Sequence, residues 1–201
     1  MLDHVFTDAI GALRDAFEAA MLERQAFEER FSMDMLLGDM TWETSYGLPG
    51  EGTPPRVQID LTLTWPTWAQ AAYRSWYIGE ELADNPRIDI ELVLRVQRLA
   101  SSPDPALLLD AAPRTSPTIG RDRLDRTGAT VEAVHDDDAT EYAIEVGYEG
   151  SYELVEETLA DGARLDDDVN ALGGWIAAVL VRVGDLPWDH LPPLEGDERG
   201  A

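Results

Sequence analysis

Residues 57–65, VQIDLTLTW, place Val57, Ile59, Leu61, Leu63 and Trp65 on one side of an extended chain, with Gln58, Asp60, Thr62 and Thr64 on the other. A period of two is the signature of a strand with one buried and one wet face, which is how antiparallel sheets read. A second run repeats it downstream. Ile88, Ile90, Leu92, Leu94 and Val96 alternate with Asp89, Glu91, Arg95 and Gln97, and only Val93 falls on the polar side. Further strands are expected at 42–46 and in a hairpin, 128–134 with 140–149, joined across His135-Asp136-Asp137-Asp138-Ala139.

Helical signals flank these runs. Phe6, Ile10, Leu13, Phe17, Ala20, Arg24, Phe27 and Phe31 recur at alternating spacings of four and three, which predicts one long helix over 2–31. Thr67 stands where a helix over 68–83 would be capped, and Asn85-Pro86 would close it. A short acidic helix is expected at 152–160. A final one at 166–183 carries the stripe Val169, Leu172, Ile176, Val179, Leu180 and Val183, with Asp166, Asp167 and Asp168 at its start. The four prolines of 100–120 predict an extended loop around the apolar knob Leu107 to Leu109. Together these read as an α+β fold: an antiparallel sheet of four to five strands, with the N-terminal, mid-chain and C-terminal helices packed mainly on one face. Residues 1–191 are expected to form a single α+β domain, and 192–201 a disordered acidic tail.

Composition narrows the chemistry. Among 201 residues, 40 acids oppose 15 basic residues, all of them Arg, for a formal net charge of −25; there is no Lys and no Cys. The missing cysteines exclude disulfides, thiolate catalysis and cysteine-ligated metal centres. The missing basic footprint argues against nucleic acid and anionic membrane as partners, since neutralising phosphate requires Lys or Arg. No apolar run approaches a membrane span. The N-terminal residues carry acids where a signal peptide carries Lys or Arg. The chain reads as soluble and cytoplasmic, or as a virion component if virus-encoded. Its charge points to a salt-adapted protein, because at molar salt the screening length falls to about 3 Å.

Signatures of catalysis are absent. No nucleophile elbow occurs, Gly47, Gly50 and Gly52 are followed by prolines rather than a helix, and His4, His135 and His190 stand beside no serine. No cofactor is implied. His135, Asp136 and Asp138 are the candidate divalent-cation ligands, although a solvated turn explains the same residues. Arg121, Arg123 and Arg126 form the only basic concentration, interleaved with Asp122 and Asp125, and read as internal ion pairs or as a docking point for an acidic neighbour.

One feature rises above this background. Trp65, Trp68, Tyr73, Arg74, Trp76 and Tyr77 fall within thirteen residues and span the strand-to-helix corner at Pro66. Trp, Tyr and Arg dominate interface hot spots, whereas the same rings buried would simply plug the corner. The leading expectation is a non-enzymatic interaction or assembly subunit whose partners are other protein chains, including further copies of itself. The alternatives are a small-molecule-binding or hydrolytic α+β enzyme, its aromatic pocket lined by Trp65, Trp68 and Tyr142, and a divalent-cation-binding protein.

Overall fold

The computed structural model describes residues 4–21, 26–36, 38–49, 54–82, 84–135 and 140–192. Its centre is the strand β3 (Val57–Trp65), whose burial alternates without a break along all nine residues. Beside it lie β2 (Asp39–Gly47) and β4 (Arg87–Leu99). Outside these come β1 (Phe27–Leu36) on one side, then β6 (Thr140–Glu153) and the edge strand β5 (Asp125–His135) on the other. All six pair antiparallel in the order β1-β2-β3-β4-β6-β5. The α+β class is as expected, with six strands rather than four to five.

The additional strand comes out of the expected long helix. Helix α1 (His4–Ala20) buries Val5, Phe6, Ala9, Ile10, Leu13 and Phe17, so the first half of the seam is real. Residues 27–36 are a strand instead. Phe27 and Phe31 lie four apart, a spacing that fits a strand as well as a helix. Within 31–36 the sequence alternates Phe31, Met33 and Met35 with Ser32 and Asp34, and that run pairs in register with β2.

The inner sheet face is covered by two helices. Helix α1 lies over β2 and β3: Phe17 meets Tyr46 at 4.4 Å between ring centroids, and Phe6 stacks on Trp65 at 6.1 Å. Helix α5 (Gly162–Gly184) reaches β6, where Trp175 meets Tyr148 edge-on at 5.1 Å and Asp168 accepts a 2.9 Å hydrogen bond from Tyr152. The two helices touch most closely at Gly173, where a Cβ would stand 2.7 Å from the carbonyl oxygen of Leu13. Only a residue without a side chain permits that approach. Helix α5 begins at Gly162, capped by the Asp161 carboxylate on the Ala163 N–H at 3.2 Å, so Asp166 to Asp168 lie a turn inside it rather than at its start.

Other boundaries shift for local reasons. Strand β6 runs to Glu153, which leaves only α4 (Glu156–Ala160) of the helix expected at 152–160. The expected loop at 100–120 contains a short helix, α3 (Pro105–Ala111). Its N-cap, Asp104, accepts from the Ala106 N–H at 2.9 Å, Pro105 opens the first turn, and Leu108 is buried. Residues 193–201 of the expected tail lie outside the described residues.

The outer face carries carboxylates in rows. Glu43 lies opposite Thr62, Thr62 opposite Glu91, Glu91 opposite Glu149, and Glu149 opposite Asp125. Like charges directly opposite across strands are destabilising, and the exposure of all four acids places this repulsion where dissolved salt screens it.

Candidate interaction surface

Helix α2 (Thr67–Tyr77) carries most of the aromatic group and is anchored from a distant hairpin. Thr67 is its first residue rather than its cap, and Pro66 offers no capping side chain. The cap comes from Asp39, 28 residues away. Its Oδ1 accepts from the Thr67 N–H at 2.6 Å and from the Thr67 hydroxyl at 2.8 Å, and these bonds hold the Asp39 carboxyl below the usual carboxylate range. Next to it, buried Gln70 donates to the carbonyls of Gly38 and Trp65 at 2.8 and 3.0 Å. Gly38 adopts φ 96°, and a Cβ there would lie 2.7 Å from the Thr67 hydroxyl, so the turn fits against the helix start only as glycine. Tyr77 ends the helix six residues before the expected 83, because Gly79 at φ 88° turns the chain away.

The six aromatic-corner residues divide. Trp65 and Tyr73 are core, with Trp65 stacked on Phe6 and meeting Tyr73 edge-on at 6.1 Å. Trp76 is half-buried and stacks on Tyr73 at 6.0 Å. Trp68 and Tyr77 are 44% and 56% exposed. Nine residues at 100° each set these two about 180° apart around α2, so they do not form one patch. Tyr77 sits beside His4 at 6.4 Å, and the Tyr73 hydroxyl lies 3.3 Å from the His4 ring nitrogens, fastening the start of α1 to α2. Arg74 is exposed and donates to Gln70 Oε1 at 3.2 Å.

Trp68 has the richer surroundings. The Arg87 guanidinium lies 5.4 Å from its ring centroid and pairs with Asp89 at 2.9 Å. The ring opens onto a 540 Å³ cleft that also includes Asp84, Asn85, Asp122, Ser151 and Glu153. Asn85 donates to Glu153 at 2.9 Å, and the Glu153 N–H approaches Asp122 at 3.3 Å. Sequence reasoning passed over Arg87 and Glu153, and read Asp122 only as an acid interleaved with the arginines of 121–126. The register that brings them together was half visible, since Arg87 begins the readable strand β4 and lies opposite Glu153 at the end of β6. An aromatic face ringed by carboxylates attracts a cation.

The other candidates are scattered. Tyr142 lies opposite Leu99, at the end of β4 remote from Arg87 and Trp68, and Trp65 is sealed in the core, so these rings do not line a common pocket. His135 is exposed, with Nδ1 2.9 Å from the Thr140 hydroxyl; Asp136 and Asp138 lie outside the described residues. Among the described residues, no group of three His, Asp or Glu side chains is placed to hold a metal ion. Arg121 and Arg123 are exposed, whereas Arg126 turns inward onto the carbonyls of Leu109 and Ala112. His190 belongs to a C-terminal segment laid along the end of β4. It bonds the Gln97 carbonyl at 3.1 Å, and burial holds its pKa below the ordinary histidine value. Arg56 and Arg98 donate to the carbonyls of Leu191 and Pro192 at 2.8 and 2.9 Å and so fasten the same segment.

No described helix is long and apolar enough to cross a membrane. The chain matches no protein family, no curated protein and no solved structure.

Proposed function

We propose that the chain is a non-enzymatic interaction or assembly subunit that docks other proteins through the Trp68 cleft, and that the docked segment presents Arg or Lys. The observation that carries this reading is the setting of Trp68: a large ring left 44% exposed over an open cleft and bordered by Asp84, Asp122 and Glu153, whereas the exposed Tyr77 at the other end of α2 lies beside His4. The Arg87 guanidinium, 5.4 Å from the ring centroid, supports a cation as the group this surface takes. A ring–cation contact is worth about 0.5–2 kcal/mol, and an anchoring Trp within an interface about 2 kcal/mol or more.

The test uses an Arg-rich peptide and 1 M KCl, where screening to about 3 Å suppresses attraction to net charge alone. Calorimetry should detect binding to the full chain. Trp68→Ala should weaken it about tenfold or more with the melting temperature nearly unchanged, and Glu153→Gln should weaken it by less. Equal binding by wild type and Trp68→Ala would show that acidity, not this cleft, captures the peptide, and the reading would fall.

A further inference from the structure

The sheet ends in two edges, and they differ. Strand β1 reads FEERFSMDML, with three acids and one Arg, and its pairing slips between Glu28 and Arg30. Charges and irregularities of this kind keep an edge from pairing with another chain. Strand β5 has its slip early, between Arg126 and Ala129, and then pairs without interruption from Ala129 to His135. Its start is covered: the Arg126 N–H donates to the Arg114 carbonyl at 3.0 Å, and Thr115 bridges to Asp125. From Ala129 to His135, no further described strand or loop pairs with its outer backbone. This stretch contains no Pro and one acid, Glu132, which Arg95 engages at 2.5 Å. In a protein of net charge −25 it is a nearly neutral strip. Val131 and Val134 on it are 37% and 63% exposed.

We propose that β5 pairs antiparallel with β5 of a second copy about a two-fold axis through Val131, normal to the sheet, so that two six-stranded sheets become one. An axis normal to the sheet keeps both helical layers on the same side and sets like faces of the two strands together. In this register Val131 meets itself, Ala129 meets Ala133 of the second copy, and Thr130 meets Glu132. Gly128 then meets Val134, and the space beside Gly128 is open, with no atom within 4 Å of where its Cβ would stand, so the most exposed valine of the edge gains a seat. A register centred one residue later would set the two Glu132 carboxylates opposite each other, which is unfavourable. The occupant is a second copy because the strip complements itself: each edge supplies the same unpaired N–H and C=O groups, and an isologous pair satisfies both at once. The inference goes beyond the Trp68 reading and uses a different surface.

The chain has no cysteine, so Val131→Cys reports the axis directly. A residue that faces itself across antiparallel strands lies about 4.5–5.5 Å from its copy between Cα atoms, within disulfide reach. In 1 M KCl with mild oxidant, Val131→Cys should cross-link into a dimer at least tenfold faster than Ile78→Cys, a control that is 71% exposed. Val131→Glu, which sets two carboxylates at the axis, should raise the dimer dissociation constant at least tenfold in sedimentation with an unchanged melting temperature. Val134→Lys should act in the same direction. A chain that stays monomeric at high concentration in molar KCl overturns the proposal. So does a dimer that Val131→Glu leaves intact, or Val131→Cys cross-linking no faster than Ile78→Cys. Peptide binding at Trp68 is measured independently, and its loss or survival in Val131→Glu separates failure of this inference from failure of the docking reading.

Discussion

Strands β3 and β5 belong to one sheet and have similar lengths, yet every residue of β3 is at least half-buried while most of β5 is exposed on both faces. β3 has neighbours on both sides and two helices over its inner face. Among the described residues, β5 has one neighbouring strand, with α3 and residues 114–115 packed near its beginning. The contrast separates two jobs that a sheet performs. Its centre holds the fold together, and its margin carries what is left over for association.

The largest effect should come from the centre. Leu61→Ala in β3 should cost about 2–5 kcal/mol in urea unfolding, while Val131→Ala in β5 should stay within about 0.5 kcal/mol. Equal losses at the two sites would erase the distinction. Next comes the helix contact over the central strands. Gly173→Ala forces a methyl against the Leu13 carbonyl and should cost about 1–3 kcal/mol by the same measurement.

Tyr148, on β6 between centre and edge, offers a pH test. Burial, opposed by Arg126 and Arg182, pushes its pKa up to about 12, and its hydroxyl donates to the Pro113 carbonyl at 2.7 Å. Because the folded value is raised, its contribution is complete below the ordinary tyrosine value of 10.0 and is lost as pH climbs towards about 12. Ultraviolet titration of the folded proteins should show as many tyrosines ionising near pH 10 in Tyr148→Phe as in wild type, the additional wild-type tyrosine ionising only towards about pH 12, and wild type should lose stability over that window more steeply than the Tyr148→Phe variant.

The smallest effect belongs to the edge. Arg95 bridges Glu132 and Glu145 at 2.5 and 2.9 Å, with Glu132 exposed and the other two side chains in partial contact with solvent, so Glu132→Gln should change stability by about 0–1 kcal/mol. On the same outer face, Glu91→Gln removes one member of the carboxylate row. It should raise the melting temperature in dilute buffer, and the gain should fade in molar KCl.

Sequence legibility follows the same division. β3, β4, the first half of the α1 seam and the α5 stripe were readable because burial on one face imposes a period on the residues there. β5 showed little contrast, as TGATVEAVH meets solvent on both sides. Residues 27–31 fall in the expected helix over 2–31 because two phenylalanines four apart satisfy both periods, and the alternation from Phe31 to Met35 was the overlooked signal. Of the candidate surface, the aromatic cluster was visible but not its division. Trp65 and Trp68 are alike in composition and three residues apart, and only the direction in which the chain leaves Pro66 sends one inward and the other out. The acids around Trp68 come from Asp84, Asp122 and Glu153, distant in sequence, and no local pattern could have gathered them.

The carboxylate of Asp39 caps a helix that does not belong to its own hairpin, and this ties two remote segments into one mechanical unit. If the first hairpin opens transiently, the leading turn of α2 loses its cap in the same event. The Thr67 amide should then exchange its hydrogen with solvent at the rate of that opening, and Asp39→Asn should quicken it, making a single backbone proton the gauge of how firmly the platform beneath Trp68 is held.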